Sequence, residues 1–95
     1  MFPLDHATLH IAVDMQQLFA EPTEWFVPWL PRVLPNVVAI AEHAPERTLF
    51  TRFIPPRDPG QTTGAWRDYY SHWQAMTRQA LDPRLLELVE PLARL

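Results

Sequence analysis

The chain of 95 residues contains no cysteine, which excludes disulfides, thiolate metal ligands and a cysteine nucleophile within it. Lysine is missing as well. All eight basic residues are arginine, so no side-chain amine is present for Schiff-base chemistry. Glycine occurs only twice, too rarely for a G-x-G-x-x-G dinucleotide fingerprint or a phosphate-binding loop. Apolar runs are short: prolines or charges break each one before the ~18 residues of a membrane span. There is no basic excess, and a net charge of −3 argues against a nucleic-acid footprint. The opening Met1-Phe2-Pro3-Leu4-Asp5-His6 lacks a basic stretch followed by an apolar one, so no secretory signal is expected. The expectation is a cytoplasmic chain that engages neither nucleic acid nor membrane.

What the chain does contain is a globular composition, 47% hydrophobic and 20% charged, enough for one domain at most. Eleven prolines, about twice the usual ~5%, punctuate it. Leu9, Ile11 and Val13 alternate with His10 and Ala12, which predicts a strand over about Thr8 to Val13, closed by Asp14. Met15 to Pro28 reads as irregular chain. Leu30, Val33, Leu34, Val37, Ile40, Ala41 and Ala44 recur at helical spacing. Pro35 falls inside that stripe, so it either kinks the helix or begins it, and Pro45 stops it. Thr48 to Ile54, rich in β-branched and aromatic residues, predicts a second strand ended by Pro55-Pro56. After a loop over 55–64, Trp66, Tyr69, Tyr70, Trp73 and Met76 or Thr77 line one face of a further helix. Asp82-Pro83 has the form of an N-cap followed by a first-turn proline, opening a short helix through Val89.

A helical crossover between two apolar strands is a βαβ unit, and it implies a parallel pair in an α/β fold. Parallel sheets are normally buried on both faces, yet two strands leave two open edges and little sheet to cover. The expectation is therefore a part of something larger, or a chain that associates through its sheet edges.

Asp14 is the sharpest candidate for chemistry. It closes the first strand at its carboxyl end, where open α/β sheets bind ligands, and its apolar neighbours Met15, Leu18 and Phe19 suit a general base. An Asp after a strand also serves simply to cap a turn. Arg52, before Pro55, can either reach a substrate carboxylate or carbonyl oxygen or lie on the surface of an edge strand. Tyr70 and Trp73 can roof a pocket for a planar substrate, or belong to a core or subunit interface. His6, His10, His43 and His72 show no metal-ligand spacing, and His10 reads as a satisfied polar residue within its strand.

The stretch Asp14-Met15-Gln16-Gln17-Leu18-Phe19, following Leu9–Val13, resembles the D-x-Q-x-x-F opening of the isochorismatase-like cysteine hydrolases. The resemblance continues through Leu34-Pro35-Asn36-Val37, Leu49–Ile54 and Trp66–Trp73, in that order, and covers most of the chain. It implies the N-terminal part of a doubly wound three-layer α/β/α parallel-sheet fold, Rossmann-like, represented here by two strands plus helices. It further implies an Asp, Lys and Cys catalytic group in which the Cys attacks a carbonyl carbon and the Asp takes its proton. On this likeness Asp14 is the catalytic acid/base, and Gln16 and Phe19 flank or line the substrate site. The family's Lys and Cys would fall beyond Leu95, so residues 1–95 are expected to form a single incomplete domain, inactive alone by the thiol route. Nicotinamidase-type members carry a D-x-H metal motif after the second strand, where this chain has Phe53-Ile54-Pro55-Pro56. The resemblance thus leans toward metal-free hydrolases, without cofactor, acting on a small-molecule substrate with an amide or carbamoyl C–N bond or an isochorismate-type vinyl ether. Relatives commonly form homo-oligomers. The competing expectations are a non-catalytic remnant, or a small interaction module that docks by its sheet edges or its Trp/Tyr face.

Overall fold

Two short strands pair in parallel where the apolar alternation predicted them, β1 (His10–Val13) and β2 (Thr48–Thr51). The computed structural model describes residues 4–95; Met1–Pro3, on which part of the expectation of no secretory signal rests, lie outside them. The register sets His10 opposite Thr48, Ile11 opposite Leu49, Ala12 opposite Phe50 and Val13 opposite Thr51. In chain order α1 (Gln17–Ala20) and α2 (Trp29–His43) lie between the strands and α3 (Ala65–His72) follows β2, with several short 3-10 turns between and after them. The α/β character and the βαβ crossover are as the sequence predicted.

Helix α2 is that crossover. Leu30, Leu34, Val37, Val38 and Ala41 pack with Ala12 and Phe50 on one face of the strand pair, the helical stripe meeting the two-residue period of the strands. Pro35 sits within the helix, neither at its start nor at a break. Pro35 has no N–H for the carbonyl of Pro31, and Pro31 lies exposed, where water can take that acceptor. Leu30 and Leu34, before Pro35, and Val37 and Ala41, after it, hold the helix to the same core.

The second strand is shorter than Thr48–Ile54. Its partner ends at Val13, and beyond that point the backbone of Phe53 bonds to a side chain: Phe53 N–H donates to Gln16 Oε1 at 2.7 Å and Phe53 C=O accepts from Gln16 Nε2 at 3.0 Å. Residues 15–28 are not irregular throughout, because Gln17–Ala20 form the single turn α1. Asp82 does cap the turn that follows it, accepting from Arg84 N–H at 2.9 Å, but the turn is 3-10 and ends at Leu86. Leu88 and Val89 leave it to run antiparallel beside the segment after β1. Gln17 N–H donates to Glu87 C=O and Val89 N–H to Met15 C=O, both at 2.9 Å.

Two apolar clusters result. Ala12, Met15, Leu30, Ala41, Val89 and Leu92 form one, against α2, and Leu18, Met76, Leu81 and Leu86 form the other, between α1 and the segments that follow α3. Phe19 packs against both. The radius of gyration is 15.8 Å, with extents of 45 × 25 × 22 Å; a compact domain of this length has about 12–13 Å. The molecule is elongated, and the strand pair carries helix on one face only. Among the described residues no helix is long and apolar enough to cross a membrane.

Candidate functional site

Asp14 ends β1 by adopting a left-handed backbone, φ 54°, a region that Asp tolerates better than most non-glycine residues. The chain then folds back at once, with Gln16 N–H donating to Asp14 C=O at 2.8 Å. Asp14 stays attached to the end of β2. Its N–H reaches the Thr51 carbonyl at 3.2 Å and Thr51 Oγ1 at 3.1 Å, and the Thr51 hydroxyl donates to Asp14 Oδ1 at 3.1 Å. The half-buried carboxylate is thereby fixed at the carboxyl end of both strands.

Two clefts open from that point. One, of about 350 Å³, is walled by Val13, Met15, Phe19 and Val27 with Trp29, Leu30 and Val33 from the first turns of α2, and Asp14 is its single charged residue. The other, of about 260 Å³, is lined by Asp14, Phe19, Trp25, Phe53, Trp66, Tyr69 and Tyr70. Trp25 is the hub of this aromatic wall, its ring centroid 6.0 Å from Phe53, 6.2 Å from Tyr69 and 5.8 Å from Trp73. Tyr70 is buried and stacks on Trp66 at 6.3 Å. Burial first, and then the neighbouring Tyr69 phenol, push the Tyr70 hydroxyl above its ordinary 10.0, so it remains neutral and able to donate across the physiological range.

The residues predicted from sequence divide accordingly. Asp14, Phe19 and Tyr70 come together, with Phe19 common to both clefts. Gln16 does not line either. It is 0% exposed, and its amide donates to Phe53 C=O and, at 2.8 Å, to Leu86 C=O while accepting from Phe53 N–H. It holds the frame of the site and has no polar atom left to face a ligand. Arg52 also stands apart from both clefts: its Nε donates to Leu86 C=O at 2.9 Å and its guanidinium pairs with Glu87 at 3.5 Å. Trp73 packs behind Trp25 in the cluster of Leu18 and Met76, the core role that helical spacing allowed.

Sequence reasoning missed Trp25, Phe53 and Thr51 as site residues. Trp25 lies in the stretch read as irregular, where no periodicity assigns a side to it. Thr51 had a usable signal, since it is the register partner of Val13 and so sits beside whatever follows β1. At the opposite end of the strands His6, His10 and His43 face a cleft of about 320 Å³ with Asp5 and Arg47. Among the described residues no group of three His, Asp or Glu is close enough to hold a metal ion. His10 is satisfied within its strand by Thr48 Oγ1 at 3.3 Å.

Comparison with protein-family models, curated proteins and solved structures finds no match for this chain.

Proposed function

We propose that this chain supplies the acid/base carboxylate of a metal-free isochorismatase-like hydrolase acting on an amide or carbamoyl C–N bond, or on an isochorismate-type vinyl ether. One observation carries the reading: Asp14 stands at the carboxyl end of a parallel pair, steadied by Thr51, and opens onto two clefts with apolar and aromatic walls. A carboxylate so placed can take a proton from a nucleophile or give one to a leaving group. The chain has neither cysteine nor lysine, so the thiol nucleophile and its ammonium partner have to come from outside these residues.

The test reads the coding sequence beyond codon 95 and assays its product on a panel of small amides, carbamoyl compounds and isochorismate. A downstream strand ending in Lys and a later turn bearing Cys are expected. In that product Asp14→Asn is expected to lower kcat/KM by about 10²–10⁴. Its unfolding free energy stays within about 1 kcal/mol of the unaltered protein's, because Asn also tolerates the left-handed backbone. Near-normal turnover in Asp14→Asn sinks the assignment.

A second reading is favoured by the bare sheet face, on which Ile11, Val13 and Leu49 are exposed. On this reading the chain is a non-catalytic module that associates through that face or through its sheet edges. A product that ends at codon 95, has no hydrolytic activity and associates in solution would support it.

A further inference from the structure

The aromatic cleft has a composition that hydrolysis does not require. Apart from Asp14, every residue lining it is aromatic. Trp66 and Tyr69 keep 64% and 42% of their surface exposed, although rings of this size gain most from burial. They are held at the surface by one another, edge to face at 5.9 Å, and by Tyr70, which meets Tyr69 at 5.1 Å. Asp14 takes part in no ion pair among the described residues, and no cationic side chain lines the cleft. A carboxylate without an ion-pair partner thus lines the same cleft as two exposed aromatic rings, Trp66 and Tyr69.

We infer that this cleft binds a small organic cation bearing a fully alkylated ammonium group, with Trp66, Tyr69 and Trp25 supplying ring faces and Asp14 the counter-charge. Ring quadrupoles attract cations, and Trp does so most strongly. An ammonium carrying N–H groups fits less well: apart from the carboxylate, the lining side chains offer only phenol hydroxyls and indole N–H groups, so its donors would lose water without full replacement. An alkylated nitrogen has no such donors, and its methyl groups pack on the rings. The volume of about 260 Å³ lies below that of drug-sized pockets, which selects a head group with a short substituent. A neutral substrate gains from the rings but leaves the carboxylate uncompensated. The inference goes beyond the proposed hydrolysis and holds whether or not Asp14 moves protons.

The test is a tryptophan-fluorescence titration of the full chain, in whatever assembly it adopts in solution, with choline and with the neutral analogue in which a quaternary carbon replaces the nitrogen. Saturable quenching by choline is expected, with the analogue about 10-fold weaker. Trp66→Ala, a change at an exposed ring, is expected to weaken choline by a similar factor, Trp66→Phe to restore part of it, and Asp14→Asn to weaken it about 3-fold. Equal binding of choline and its analogue overturns the inference, as does unchanged affinity in Trp66→Ala or the lack of quenching by either probe. Binding to phosphatidylcholine vesicles without binding of free choline overturns it too, because the occupant is then a membrane surface. No turnover is read in this titration, so its failure and the failure of the hydrolase reading are separable.

Discussion

On one face of the strand pair Ala12 lies buried with Phe50 beside it, beneath α2; on the other, Ile11, Val13 and Leu49 keep 52%, 62% and 53% of their surface exposed. Two of the four strand residues on the covered face are apolar, Ala12 and Phe50, against three of four on the other, so the difference in exposure lies in what covers each face. An antiparallel sheet with one wet face normally alternates apolar and polar side chains, whereas strands of parallel sheets are apolar on both sides because both are buried. These strands follow the parallel pattern while the described chain supplies cover for one side only. Local sequence therefore specifies the strands and their direction, and the second layer is a property of whatever meets that face. The coverage also decides where energy is concentrated, which makes the comparison open to experiment.

The largest effect is expected where the covered side is tied together. Gln16 bonds to three backbone groups, two of Phe53 and one of Leu86, and so joins the end of β2 to the last turns of the chain. Gln16→Ala leaves the two Phe53 groups without their partner, at about 1–3 kcal/mol for each one that stays buried, while Leu86 C=O keeps its bond from Arg52 Nε. A loss of about 3 kcal/mol or more in urea unfolding is expected, a large part of the ~5–15 kcal/mol that a domain holds. Loss of under 1 kcal/mol would mean that water reaches the seam, and that the covered side is no better sealed than the bare one.

That residue also shows how far the sequence could be read. The strands, their parallel order, the long helix and the Asp82 cap were legible because each rests on local periodicity or on a cap next to its turn. Asp14 was legible as a site because the end of a β-strand is a local feature. The role of Gln16 was not, because its partners lie 37 and 70 residues away, and a buried glutamine has the same one-letter pattern as a glutamine lining a pocket. Trp25 is similar: it becomes the hub of the aromatic wall only after β2 and α3 bring Phe53 and Tyr69 to it. The single turn α1 was missed because one helical turn is too short to show a period.

A smaller loss, of about 2–3 kcal/mol, is expected for Leu92→Ala. Leu92 is 1% exposed and packs in the cluster of Ala12, Leu30 and Ala41, so truncation removes buried surface and leaves a cavity. The lower part of the range for such substitutions is appropriate, because an elongated molecule with few layers can settle into part of the void. If Leu92→Ala unfolds no more easily than the unaltered chain, the last 3-10 turn, Leu92–Arg94, does not contribute to the core of the covered face.

The smallest effect is expected on the bare face. Ile11→Thr keeps a β-branched side chain and so the fit to a strand, while replacing exposed hydrocarbon with a hydroxyl that water can reach. With Ile11 open to solvent, stability changes by no more than about 0.5 kcal/mol, and the midpoint does not depend on protein concentration. The same substitution on a covered face would remove packing and place a polar group against another surface, raising the cost to about 1–2 kcal/mol. Because a second molecule would then be part of the folded state, the midpoint would rise with concentration in the unaltered chain and rise less in the variant. A near-zero cost leaves α2 as the sole cover and confines the energetics to one side of the sheet. A cost of the larger kind, with that concentration dependence, shows that the strands' second apolar face is occupied in solution, and it shifts weight toward the reading in which association through the sheet is the chain's main role.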